Sequence, residues 1–136
     1  MTYLLDTNAW AMYLRQSHAG LVARPEQCEP RNVVLCSVVL GELVYGAERS
    51  EPTRRAANHE LIADLCARFQ SLPFDDAAAE HCGRRRAELA SLGTPIGPND
   101  LMIASIALAH GATLVTHNTR EYRRITGLVL EDWQTP

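Results

Sequence analysis

Val33-Val34-Leu35-Cys36-Ser37-Val38-Val39-Leu40-Gly41-Glu42-Leu43-Val44-Tyr45-Gly46-Ala47 changes its apolar rhythm part-way along. The first four residues are continuously apolar, the pattern of a short strand buried on both faces. From Val38 onward the apolar residues Val38, Val39, Leu43, Val44 and Ala47 recur at helical spacing, with Ser37 in place to cap a helix. A fully buried strand running straight into an amphipathic helix is one unit of a parallel α/β sheet.

The same alternation extends in both directions. Tyr3-Leu4-Leu5 is a short apolar run ending at Asp6-Thr7-Asn8, which can cap a helix from Ala9 to about Arg15. The stretch with Gly20, Pro25 and Pro30 is poorly patterned. Downstream, Ser50-Glu51-Pro52 opens a longer helix along which Leu61, Leu65 and Phe69 repeat every fourth position. Leu72-Pro73-Phe74 is extended, and Asp75 or Asp76 caps a helix ending near Gly93. Gly97-Pro98-Asn99-Asp100 opens the most apolar helix, which Gly111 stops after His110. Thr113 to Thr116 reads as a strand, His117 to Gly127 as a polar loop, and Leu128-Val129-Leu130 as the last strand. The expectation is one α/β domain over residues 1–136 with a mainly parallel sheet; this pattern leaves the strand order open.

Composition excludes several classes. At 46% hydrophobic and 21% charged residues the chain is neither disordered nor built for a bilayer. Its longest apolar stretch, 33–47, carries Glu42 and falls short of the roughly 18 residues a membrane span needs. All thirteen basic residues are Arg, against sixteen acids, for a net charge of −3. Without a lysine, mechanisms that need one are excluded, among them a phosphoacceptor signalling module with an essential lysine. The acidic balance argues against adhesion to nucleic acid through bulk charge. The cysteines Cys28, Cys36, Cys66 and Cys82 have no zinc spacing and read as buried thiols. Met1 to Asp6 shows no secretory pattern, so a reducing cytoplasmic location is expected.

Open parallel sheets place ligands beyond the carboxyl ends of their strands. Asp6 follows the first strand, Thr116 and Asn118 follow a later one, and Asp100 lies in a first helical turn, where the helix dipole favours a carboxylate. Glu42 stands within an apolar helical stripe, a costly position for a carboxylate unless it is paired, protonated or metal-bound. Singly, Asp6 and Asp100 read as helix caps ahead of ligands, and Glu42 is equally explained as a residue reaching solvent from the stripe's edge. Together they would form an oxygen-rich site suited to Mg²⁺ or Mn²⁺. Arg84-Arg85-Arg86 points three ways around a helix and reads as surface. Arg120, Arg123 and Arg124 follow the site motif closely and could contact a phosphate backbone.

Taken in order, the motifs resemble those of PIN-domain ribonucleases, specifically the VapC toxins of bacterial toxin–antitoxin pairs. The resemblance rests on Leu5-Asp6-Thr7-Asn8, Ser37 to Ala47, Arg86-Ala87-Glu88-Leu89, Gly93 to Ala104, Leu114 to Tyr122 and Leu128 to Trp133, in register over nearly the whole chain. The stretches from about Gln16 to Arg31 and from Ser50 to Leu72 match least. The resemblance implies a three-layer α/β/α domain, a homodimer, and Mg²⁺- or Mn²⁺-dependent cleavage of RNA, often tRNA, that arrests translation. It also implies a VapB-like antitoxin that occupies the groove and carries the pair onto its promoter DNA. Carried over by position, Asp6, Glu42 and Asp100 match the family's core acids and metal ligands. Asn118 stands where many PIN nucleases have Asp, Thr116 matches a polar residue beside the site, and Glu121 an additional acid. A PIN-like scaffold that binds partners without catalysis is the competing expectation.

Overall fold

Five short strands carry the molecule: β1 (Tyr3–Leu5), β2 (Val33–Cys36), β3 (Ser71–Leu72), β4 (Thr113–Val115) and β5 (Leu130–Glu131). The computed structural model describes residues 1–135. The strands form one sheet of order β3-β2-β1-β4-β5, with every neighbouring pair parallel. Helices α1 (Thr7–Arg15), α2 (Ala19–Gln27), α3 (Ser37–Glu48), α4 (Pro52–Arg68), α5 (Asp76–Ser91), α6 (Pro98–His110) and α7 (Thr119–Tyr122) make the connections, with a 3₁₀ turn at Pro30–Asn32 before β2. Helix α1 packs against α2 and α3, α3 against α4, and α5 along α6. All four residues of β2 and all three of β4 are buried, as strands covered on both faces must be.

The core explains the order of the elements. Trp10 of α1 is completely buried, packs against Phe69 at 5.0 Å between ring centroids, and donates its indole N–H to the Val34 carbonyl at 3.2 Å. Along α3 the stripe facing the sheet is Val39, Leu43 and Ala47, while Val44 turns outward. Helix α6 buries Leu101, Ile103, Ala104, Ser105, Ile106 and Ala107, and its one buried hydroxyl, Ser105, bonds the Leu101 carbonyl at 2.6 Å. Gly111 ends it in a left-handed conformation, φ +61°, which only glycine adopts cheaply.

Several expectations change. The unpatterned stretch contains α2, which holds Pro25 inside it and buries only Leu21 and Pro25, too narrow a stripe to register as periodic. Ser37 is the first residue of α3 and not its cap: Cys36 takes that position, and the Ser37 hydroxyl accepts the Phe74 N–H at 3.1 Å. On α4 the inward residues are Ile62 and Leu65, and Leu61 is exposed. The polar loop after β4 begins with α7, and β5 lies at 130–131, with Leu128 and Val129 outside it. Of the four thiols only Cys36 is buried, and burial pushes its pKa up to about 11; Cys66 is exposed, and Cys28 and Cys82 are half-buried. Among the described residues no helix is long and apolar enough to cross a membrane.

Candidate active site

The strand order reverses between β1 and β4, and a crevice opens at the carboxyl ends of strands at such a switch point. Asp6 follows β1 there and Thr116 follows β4. Asp6 is a helix cap, and its second oxygen is also engaged. Its Oδ1 caps α1 by accepting the Ala9 N–H at 2.9 Å, and its Oδ2 accepts the Thr116 hydroxyl at 2.7 Å. The carboxylate is buried, which pushes its pKa above the usual range. Those two hydrogen bonds oppose the rise, and the negative charges of Glu42 and Asp132 add to it.

Glu42, one turn into α3, is partly exposed, so the cost expected for a carboxylate in an apolar stripe is relieved by solvent and by polar partners. The Thr7 hydroxyl donates to its Oε1, and the Asn99 amide approaches its Oε2 at 3.4 Å. Asp100 lies in the first turn of α6. Burial raises its pKa foremost, Glu121, Glu42 and Asp6 add to the rise, and the Tyr122 hydroxyl counters it. Tyr122 is itself buried against Asp100 without closing a well-aligned hydrogen bond, and burial holds its phenol far above the ordinary value.

Asn118 is exposed at the start of α7. Its backbone N–H bonds Thr116 Oγ1 at 3.0 Å and its amide donates to Glu121 Oε2 at 3.0 Å, leaving the amide oxygen free. Thus Asp6, Thr116, Asn118 and Glu121 form one hydrogen-bonded chain. Asp100 and Glu42 reach that chain through charge, with Glu42 also tethered to Thr7. Four participants were not singled out from the sequence: Thr7, Asn99, Tyr122 and Asp132. Thr7 and Asn99 lay within quoted motifs, but their partner Glu42 is 35 and 57 residues away. Asp132 bonds the His117 imidazole at 2.9 Å on the rim.

Among the described residues, none of Asp6, Glu42 and Asp100 is paired with a cation, and no three acidic, His or Cys side chains stand close enough to form a ready-made metal cage. The donor set fits Mg²⁺ or Mn²⁺ nonetheless. It is all oxygen and has no ion pair to offset its charge, the chemistry such ions prefer.

The pattern of the PIN domain family matches residues 3–128. The tRNA(fMet)-specific endonuclease VapC of Shigella flexneri is 41% identical over 133 residues, covering 98% of each chain. The chain is a VapC-family PIN-domain ribonuclease toxin. The crystal structure of VapBC2 from Rickettsia felis, bound to a DNA fragment from their promoter, is similar at 34% identity, with TM-score 0.89 over 98% of this chain and 99% of that one. DNA-bound VapBC from Salmonella typhimurium is similar at 38% identity, with TM-score 0.89 over 98% of both chains. The VapC fold accounts for the all-parallel five-stranded sheet flanked by helices.

Proposed function

We propose that this VapC-family chain is a divalent-cation-dependent endoribonuclease acting on tRNA, with Asp6, Glu42, Asp100 and Asn118 as its catalytic set. The observation that carries the reading is the charge coupling of Asp6 and Asp100 to each other and to Glu42, with no ion pair to any of the three among the described residues. Burial and mutual repulsion raise the pKa of both Asp6 and Asp100, the electrostatic state of a site that lacks a positive charge. Mg²⁺ or Mn²⁺ held by Asp6, Asp100 and Glu42 would supply that charge, together with a lowered pKa for water and compensation at the phosphate.

The protein groups have separable tasks. Thr116 and the Ala9 N–H fix the two oxygens of Asp6, so that this carboxylate cannot rotate. Thr7 and Asn99 hold Glu42 at the end of its side chain. Glu121 takes the amide N–H of Asn118, turning the amide oxygen outward to accept from water or a ribose hydroxyl. An amide in place of a carboxylate removes one negative charge and favours a single ion over two.

The relatives from Shigella and Salmonella are described as tRNA(fMet)-specific, which makes that tRNA the first substrate to test here. DNA-bound VapBC pairs among the similar structures support a VapB-like antitoxin as the partner; a homodimer, with the antitoxin over the acids and contacting the DNA, completes the reading. The test is cleavage of total tRNA by antitoxin-free protein. Discrete fragments are expected with Mg²⁺, and none with EDTA or with Asp100→Asn. Cleavage that survives in EDTA or in Asp100→Asn overturns the assignment.

A further inference from the structure

Beside the acids, a cavity of about 630 Å³ opens between α3 and the start of α6, walled by Val38, Gly41, Glu42, Tyr45, Asn99 and Met102. Among the described residues Tyr45 is the one exposed aromatic ring, with 61% of its surface accessible. The ring is held in place: Arg49 Nη1 donates to its hydroxyl at 2.7 Å, and the guanidinium carbon lies 5.5 Å from the ring centroid. Apolar walls from Val38 and Met102, one rigid aromatic face and the Asn99 amide compose a pocket for a flat heterocycle with hydrogen-bonding edges. Glu42 is both a wall of this cavity and a member of the acidic set, and Asn99 precedes Asp100, so an occupant here abuts the reacting position.

Single-stranded RNA is recognised mostly by bases splayed out of the stack onto aromatic side chains, with their edges read by polar groups. We propose that this cavity binds one unstacked nucleobase of the substrate, stacked on Tyr45 and bonded at its edge by Asn99, next to the scissile phosphate. The inference rests on the endoribonuclease reading and names the subsite that selects the nucleotide.

The pocket can be altered without disturbing the core. Tyr45 is exposed. A Cβ placed on Gly41 meets nothing within 4 Å, so Gly41→Leu fills the cavity from the outer side of α3 and raises helix propensity. The experiment measures binding of a fluorescein-labelled short single-stranded RNA by anisotropy, in EDTA and at low salt. The RNA is used intact and with an abasic nucleotide at each position in turn. Tyr45→Ala and Gly41→Leu are each expected to weaken binding about 10-fold or more, from the usual worth of base–aromatic stacking. Tyr45→Phe should bind like the native chain. One abasic position should cost the native chain that same factor and cost Tyr45→Ala nothing further, the signature of two changes to one contact.

Equal binding by Tyr45→Ala, additive penalties at every abasic position, or no RNA binding by the native chain overturns the proposal. Loss of dimers in Tyr45→Ala by sedimentation overturns it too, by assigning the ring to a contact with a second copy. Mg²⁺-dependent cleavage by the native chain is scored separately. RNA bound through Tyr45 but not cut leaves the pocket standing and defeats the nuclease reading, and cleavage indifferent to Tyr45 does the reverse.

Discussion

Asp100 illustrates how a carboxylate proposed for the active site can oppose the stability of its own fold. Its carboxyl has a raised pKa from burial and from Glu121, Glu42 and Asp6, so the folded chain favours the protonated form. A group raised in this way contributes stability below its unfolded value, and that contribution is lost as pH rises through the folded one. At neutral pH and without a divalent ion, Asp100→Asn is therefore expected to melt a few degrees higher than the native chain. Well below the unfolded value of 3.8 the difference should vanish, because the native carboxyl is then neutral in both states. Thermal melts in EDTA across pH check this. The readout is independent of cleavage, and a lower melting temperature for Asp100→Asn at pH 7 would refute the electrostatic account.

Among the elements, α2 shows what periodicity misses. Its N-terminal turn is pressed against the C-terminal segment: a Cβ on Gly20 would lie 2.3 Å from the Trp133 carbonyl oxygen, a backbone atom that cannot swing aside. Trp133 is in turn fixed by the Tyr3 ring at 5.2 Å and by the Arg24 guanidinium at 4.9 Å. Gly20→Ala gains helix propensity worth about 1 kcal/mol. It must also separate two packed segments, at about 1–3 kcal/mol. A backbone clash at 2.3 Å belongs at the upper end of that cost, so we expect a net loss of up to about 2 kcal/mol in urea unfolding. Solvent-facing Gly46, with nothing within 4 Å of an added Cβ, is the control: Ala there should stabilise.

At the scale of the whole molecule, α1, α2 and α4 are joined by one polar cluster. Arg68 holds Glu26 at 2.6 and 2.8 Å, and the Tyr13 hydroxyl donates to the same carboxylate at 2.6 Å. The Arg68 and Tyr13 bonds lower the Glu26 pKa to about 2, from a usual 4.5. A depressed carboxyl contributes stability above its unfolded value and loses it as pH falls, here between about 4.5 and about 2. The cluster is nearly half exposed, so solvent screening keeps its worth below about 1 kcal/mol. Glu26→Gln should cost little at pH 7 and should flatten the acid limb of the stability curve in that window. Denaturant titrations from pH 2 to 6 test it.

How much was legible varied with the distance over which each property is decided. Asp6, Glu42 and Asp100 stood out because their local settings are unusual: a carboxylate at the end of a buried strand, one in an apolar helical stripe, one in a first helical turn. Tyr122 did not, since it sits in a segment that reads as polar loop and its meaning comes from Asp100, 22 residues earlier. The inward choice of Ile62 over Leu61, and the exposure of Cys66 against the burial of Cys36, likewise depend on which face of a helix meets the sheet. The sequence by itself determined the α/β class and the family, and singled out the acids proposed for the site, because strand burial, helix periodicity and carboxylate placement are written in neighbouring residues. The tertiary structure alone decided the strand order and the partnership of Thr7 and Asn99 with Glu42. It also decided the open pocket at Tyr45. Each of these is a contact between distant segments, set by how the whole chain closes its core and not by any local preference.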